Sequence, residues 1–214
     1  MTKKARCAAA VQALKQEYPD AICSLTYEDP WQLLVSVRLS AQCTDARVNM
    51  VTPALFEKYP TPEAMANADV GDVEELIRST GFFRAKARDL VQEAGQIVND
   101  YDGKVPSSID ELVKLSGVGR KTANLIAGDV FHEPGVFVAD THAIRLSNRM
   151  GFVDTKDPKK VEFAMRKIVP PEESNDFCHR LVLHGRAVCT ARAPHCENCV
   201  LGDGICKKVI EKKK

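Results

Sequence analysis

Apolar positions recur at helical spacing along most of the chain. In ARDLVQEAGQIV (87–98), Leu90, Val91, Ala94 and Val98 share one face, and similar stripes run through WQLLVSVRL (31–39) and VNMVTPALF (48–56). Ile109, Leu112, Val113 and Leu115 give IDELVKL the same character, with Ser107 or Ser108 placed to cap it. Asp29-Pro30, Thr61-Pro62 and Asp157-Pro158 each pair an N-cap residue with a proline at the first helical position. Further helices are expected at 140–150, 159–168 and 174–188, which brings the total to roughly ten. The one run that reads as strand, VFV (136–138), is too short to build a sheet, and no repeat or low-complexity segment interrupts the pattern. The expected fold class is all-α.

At 214 residues the chain could form one large domain or two small ones. Its formal net charge of +1 announces no nucleic-acid partner by itself. The distribution says more: from Arg180 to Lys214 eight Lys and Arg face three acids, with a terminal KKK that reads as a solvated, frayed end. Near the N-terminus, Gln12, Lys15 and Gln16 break the only early apolar run well short of a signal core or a membrane span. A cytoplasmic protein is expected, hence one in reducing surroundings, where eight cysteines argue for metal or reactive chemistry over disulfides.

Four of those cysteines, Cys189, Cys196, Cys199 and Cys206, are spaced C-x6-C-x2-C-x6-C. Structural zinc usually takes two short C-x2–4-C pairs, and only one is present. Longer loops around a central C-x2-C suit a cubane iron–sulfur cluster better. Cys7, Cys23, Cys43 and Cys178 are scattered and read as buried small hydrophobes on helices.

Residues 117–124 read GVGRKTAN, which invites comparison with a phosphate-binding loop. Such a loop needs a strand before its glycines and a glycine immediately before its lysine; here the preceding IDELVKLS is helical and Arg120 intervenes. What remains is helix, tight turn, helix. Gly117 and Gly119 permit φ > 0 and close backbone approach, and the turn empties into a helix N-terminus whose free amides favour a phosphate. An ordinary αα-hairpin with glycines at a helix C-cap is an equal reading of this stretch alone. Lys121 is less ordinary: in the first turn of its helix, beside Arg120, both the dipole and a like charge disfavour an ammonium, and only a neutral amine attacks to give a Schiff base. Nineteen residues on, Asp140 emerges from the apolar VFVA. Taken alone it reads better as the N-cap of the next helix; beside an amine it would also oppose a cationic sugar.

These residues together resemble the endonuclease III family of helix-hairpin-helix DNA glycosylases. The resemblance rests on LSAQCTDARVN (39–49), STGFFRAKA (79–87), LSGVGRKTAN (115–124), VADTHAIRLSNR (138–149), LHGRAVC (183–189) and the four-cysteine tail, and it covers almost the whole chain. It implies two helical domains with a DNA groove between them: a six-helix barrel over 22–132 containing the hairpin (about 108–131), and a domain of 1–21 plus 133–214 carrying a [4Fe–4S] cluster on Cys189, Cys196, Cys199 and Cys206. Lys121 matches the family's nucleophile and Asp140 its essential carboxylate. Gln42 matches the glutamine that fills the gap left by a flipped base, and Phe82 stands at the position of the wedge residue, usually leucine. Gly117, Val118, Gly119, Arg120, His142, Arg145 and Arg192 fall among the DNA contacts. The implied partner is double-stranded DNA holding damaged pyrimidines or abasic sites, acted on by a monomer.

The implied reaction is base excision through a Lys121 Schiff base, followed by β-elimination 3′ to the lesion. The chain departs from the family pattern in places. The last cysteine gap is one residue longer, and the spacing from Lys121 to Asp140 has one extra residue, placed most easily in HEPG (132–135). Ser116 replaces a frequent proline, Val113 a frequent glutamate of the polar network, and Ala193 a common lysine. Two other functions compete. A monofunctional glycosylase for adenine opposite oxidised guanine, or for mismatched thymine, generally lacks the lysine at position 121. A DNA-binding metal module without catalysis would use Lys121 as a phosphate contact and leave Asp140 as a cap.

Overall fold

The computed structural model describes residues 1–202 and 204–208; Asp203 and the terminal KKK lie outside the described residues. Among the described residues there is no strand, and no helix is long and apolar enough to cross a membrane. The chain divides into two compact units, one of Cys23–Phe131 and one of Met1–Ile22 with the chain from His132 onward.

The continuous unit holds α2 (Pro30–Leu39), α3 (Asp45–Lys58), α4 (Pro62–Ala66), α5 (Val70–Ile77), a 3-10 turn (Arg78–Thr80), α6 (Phe83–Tyr101), α7 (Ile109–Leu112) and α8 (Arg120–Asp129). Helix α6 is its spine. Its stripe of Ala87, Leu90, Ala94 and Ile97 is fully buried, and α2, α4 and α5 pack on it. Helix α2, apolar nearly all round, is buried through Leu33, Leu34, Val35 and Leu39 and bridges α3, α6 and α8. The expected caps are present: Asp29 and Thr61 accept bonds from Gln32 and Ala64 amides, each ahead of a proline.

The discontinuous unit joins α1 (Lys3–Glu17) to α9 (Thr141–Arg149), α10 (Pro158–Arg166) and α11 (Ser174–Ala187). Cys7, Ala10, Val11 and Leu14 of α1 are fully buried, and α1 packs on α11. The buried Arg180 of α11 binds the Tyr18 carbonyl at the end of α1, together with Glu173 and Asp176, while Lys15 pairs with Glu173. Asp157 caps α10 as expected.

Three expectations change. Helix α7 spans only Ile109–Leu112, capped by Ser108, because Lys114 and Leu115 bond back three residues, to Glu111 and Leu112, tightening the chain into the turn. VFV (136–138) is not a strand: it is a buried connector with no partner strand, and the Val138 amide donates to Cys178 Sγ at 3.2 Å. Cys7 and Cys178 are buried on helices, but Cys23 and Cys43 lie in loops and are half-buried.

Candidate active site

The hairpin forms as the glycine spacing requires. Gly117 has φ +72°, a left-handed conformation that closes the turn, whereas Gly119 (φ −87°) is the extended N-cap of α8. No side chain caps α8, and a Cβ built on Gly119 would meet nothing within 4 Å. Val118 behaves differently from its neighbours: it is 5% exposed, and its amide donates to the Leu115 carbonyl at 3.1 Å. Its amide is thereby committed inside the turn. Lys121 stands exposed in that first turn, with Arg120 half-buried beside it.

Behind the turn lies a group that pattern reading missed. Arg38 of α2 donates from Nη1 to the Gly117 carbonyl at 2.5 Å and from Nη2 to Asp89 at 3.2 Å. A Cβ on Gly117 would collide with that guanidinium. Glu93 Oε2 is 3.4 Å from Arg38 Nε, an ion pair without hydrogen-bond alignment, and neither Glu93 oxygen has a hydrogen-bond partner among the described residues. Burial pushes the Glu93 carboxyl up to about 8, against the pull of Arg38.

Gln42 and Phe82 belong to the same unit. Both adopt left-handed backbone (φ 54° and 48°), both are exposed, Phe82 to 68%, and both line one cleft of about 570 Å³, its open mouth included. A large exposed aromatic in a strained conformation is unusual for a residue with no contact to make.

In the other unit Asp140 is the N-cap of α9: its Oδ1 accepts the Ala143 amide at 2.6 Å. The cap commits one carboxylate oxygen, and Asp140 remains half-exposed. His142 is held below the usual imidazole range by burial, opposed by Asp140 and assisted by Arg145 and Arg186. Arg145 is engaged inside its own unit. It donates to the carbonyls of Gly185 and Cys189 and reaches His142 Nδ1 at 3.1 Å. Arg192 is exposed.

Cys189, Cys196, Cys199 and Cys206 line one cavity of about 300 Å³, its open mouth included. Among the described residues no three potential ligands converge as a single-ion site would require. Arg149 clasps the start of this loop, donating to the carbonyls of Cys189, Thr190 and Ala191 and to Cys189 Sγ. His184, fully buried, sits between Tyr18 Oη (3.2 Å from Nδ1) and Cys199 Sγ (3.3 Å from Nε2). Burial pushes its imidazole down to about 4, so it is neutral, and pushes the Cys199 thiol up to about 11. Arg149 and His184 both stand inside the sequence blocks quoted above, but nothing in their spacing showed these contacts.

This arrangement has counterparts. Residues 35–171 match the HhH-GPD superfamily base excision DNA repair protein family. The endonuclease III of Synechocystis sp. is 46% identical over 200 residues, 94% of this chain and 91% of that protein. The chain belongs to the endonuclease III family. Endonuclease III of Bacillus subtilis is 43% identical over 86% of this chain and 84% of its own length. A solved structure of a trapped endonuclease III–DNA covalent intermediate superposes with a TM-score of 0.89 at 39% identity, covering 100% of both chains. As a member of this family the chain is an enzyme of base excision repair, a DNA glycosylase/AP lyase.

Proposed function

We propose that the chain binds double-stranded DNA, removes oxidised pyrimidines and cuts the strand 3′ to the resulting abasic site, with Lys121 as nucleophile and Asp140 as the essential carboxylate. The observation that carries this reading is the open N-terminus of α8, which offers uncapped amides and an exposed lysine in one turn. Gly117 and Gly119 hold a phosphate whatever the base sequence. Gln42 occupies the gap left by the flipped nucleotide and Phe82 stacks on the orphaned base.

Lys121 Nζ, as the free amine, attacks C1′; the C1′–N bond breaks and the base leaves with a proton. Ring opening gives a protonated Schiff base between Nζ and C1′. That cation makes the C2′ proton acidic, and its removal breaks the C3′–O bond and expels the 3′ phosphate. Hydrolysis of the imine then frees Lys121. Asp140 opposes the positive charge on the sugar with the oxygen that Ala143 does not hold.

Cys189, Cys196, Cys199 and Cys206 would hold a [4Fe–4S] cluster, and the fit rests on four thiols around one cavity, with Arg149 donating to Cys189 Sγ and the His184 ring against Cys199 Sγ. When bound, such a cluster supplies a saturated cross-link between the end of α11 and the tail. Arg149 fixes the backbone of 189–191, and the exposed Arg192 beside it is available to a phosphate.

The test is borohydride trapping. Wild type is expected to form a covalent complex with thymine-glycol or abasic DNA, and Lys121→Ala to form none; trapping that survives in the variant refutes Lys121 as the nucleophile. If wild type neither nicks nor traps, a non-catalytic binding module is the better account. Asp140→Asn preserves the cap, because the two residues cap almost equally well. It is therefore expected to keep DNA binding and lose excision; equal loss of both would make Asp140 chiefly a structural cap.

A further inference from the structure

Lys86 lies in the second turn of α6 and is 8% exposed, yet it touches no carboxylate among the described contacts. Its Nζ donates at 2.8 Å to the carbonyl of Leu39 and at 2.8 Å to that of Thr80. These are the last residues of α2 and of the 3-10 turn, where helical carbonyls lose their partners and a cation is favoured. The chain leaves each of those carbonyls for a probe residue: Gln42 three residues on, Phe82 two residues on. Both probes hold left-handed backbone, a state that persists only where the surroundings over-determine it. Gln42, Phe82 and Lys86 also share the lining of one cleft. Removal from water lowers the lysine below its usual range, a burden that a surface lysine would avoid.

We propose that Lys86 is a positioning residue that couples the Gln42 and Phe82 loops into one two-pronged unit, fixing the separation at which they enter duplex DNA, without contacting DNA itself. One ammonium with two carbonyls suits this role because it ties two loops from different parts of the chain through a single point. Breaking the tie releases both loops together. The proposal rests on the reading of Gln42 and Phe82 as the residues that enter the duplex.

Lys86→Met keeps the length of the side chain and removes the donors. Single-turnover excision from duplex thymine-glycol DNA is compared with borohydride trapping on single-stranded abasic DNA at saturating enzyme, where no gap needs filling. Fluorescence of 2-aminopurine opposite the lesion reports entry of the probes. The variant is expected to lose on the order of tenfold to a hundredfold on duplex, the scale of an ångström-level misplacement. It should also show reduced 2-aminopurine response and trap single-stranded DNA within about twofold of wild type, well inside that scale. Combined with Gln42→Ala, it is expected to add little to the loss that Gln42→Ala causes alone. Equal losses on both substrates, or fully additive losses, would make Lys86 a fold-holding residue and overturn the proposal. If Gln42→Ala and Phe82→Ala leave duplex excision and fluorescence unchanged, the reading of the probes falls first. If they change both while Lys86→Met changes neither, the coupling alone is wrong. Should Lys86→Met not fold, Lys86→Leu, which likewise removes the donors, is carried through the same comparisons with the same criteria.

Discussion

Glu93 is fully buried on α6 beside Arg38, and the two could be mistaken for a stabilising ion pair. The structure argues the opposite sign. Desolvation raises the carboxyl from 4.5 to about 8, so the folded chain holds this proton more tightly than the unfolded chain does. Below pH 4.5 both states are protonated and the group is neutral in its effect. From there to about pH 8 each unit costs about 1.4 kcal/mol of stability, about 5 kcal/mol in all. Glu93→Gln removes the titration and keeps the shape. Urea unfolding of wild type and variant at pH 4.5, 7 and 9, at matched ionic strength, cancels every other titrating group. The advantage of the variant is expected to grow by about 5 kcal/mol across that range. A difference that stays flat refutes the argument, and a variant that loses ground as pH rises would show the pair to be a stabilising one after all.

The hairpin and the cysteine loop carry two more expectations. Gly117→Ala must bear a positive φ and displace the Arg38 guanidinium, so it is expected to cost about 2–4 kcal/mol in urea unfolding. A loss under about 1 kcal/mol would show that Arg38 swings aside freely. Arg149→Met leaves the carbonyls of Cys189, Thr190 and Ala191 without their shared donor, and iron of the proposed cluster is expected to leave for a chelator several-fold faster than from wild type. Release is followed by the loss of visible absorbance, and an unchanged rate would show that the loop is held by other means.

What was legible in the sequence was local. The caps at Asp29, Thr61 and Asp157 depend on a residue and its neighbour three positions on, and all three form. The hairpin was legible because a tight turn that needs a positive φ takes glycine, as it does at Gly117. The length of α7 was not, because the apolar stripe continues through Leu115 while the hydrogen bonds tighten toward the turn. VFV misled for a related reason: β-branched and aromatic residues report burial as readily as pairing, and here they are simply interior. Arg38, Lys86, Arg149 and His184 could not be read at all. Each acts on at least one partner between 15 and 79 residues away, and an arginine with a buried duty looks like any other in the sequence.

The discontinuous unit also has a history in time. Helix α1, with Cys7, Ala10, Val11 and Leu14 buried, is made long before α11, the helix it packs on, which begins only at Ser174. At about 5–20 residues per second, the apolar face of α1 waits on the order of ten to thirty seconds for its partner. The continuous unit, complete at Phe131, is finished during that wait. A nascent chain therefore carries a folded middle and an unsatisfied beginning. Truncation anywhere before α11 leaves that beginning exposed to chaperones, proteases and aggregation.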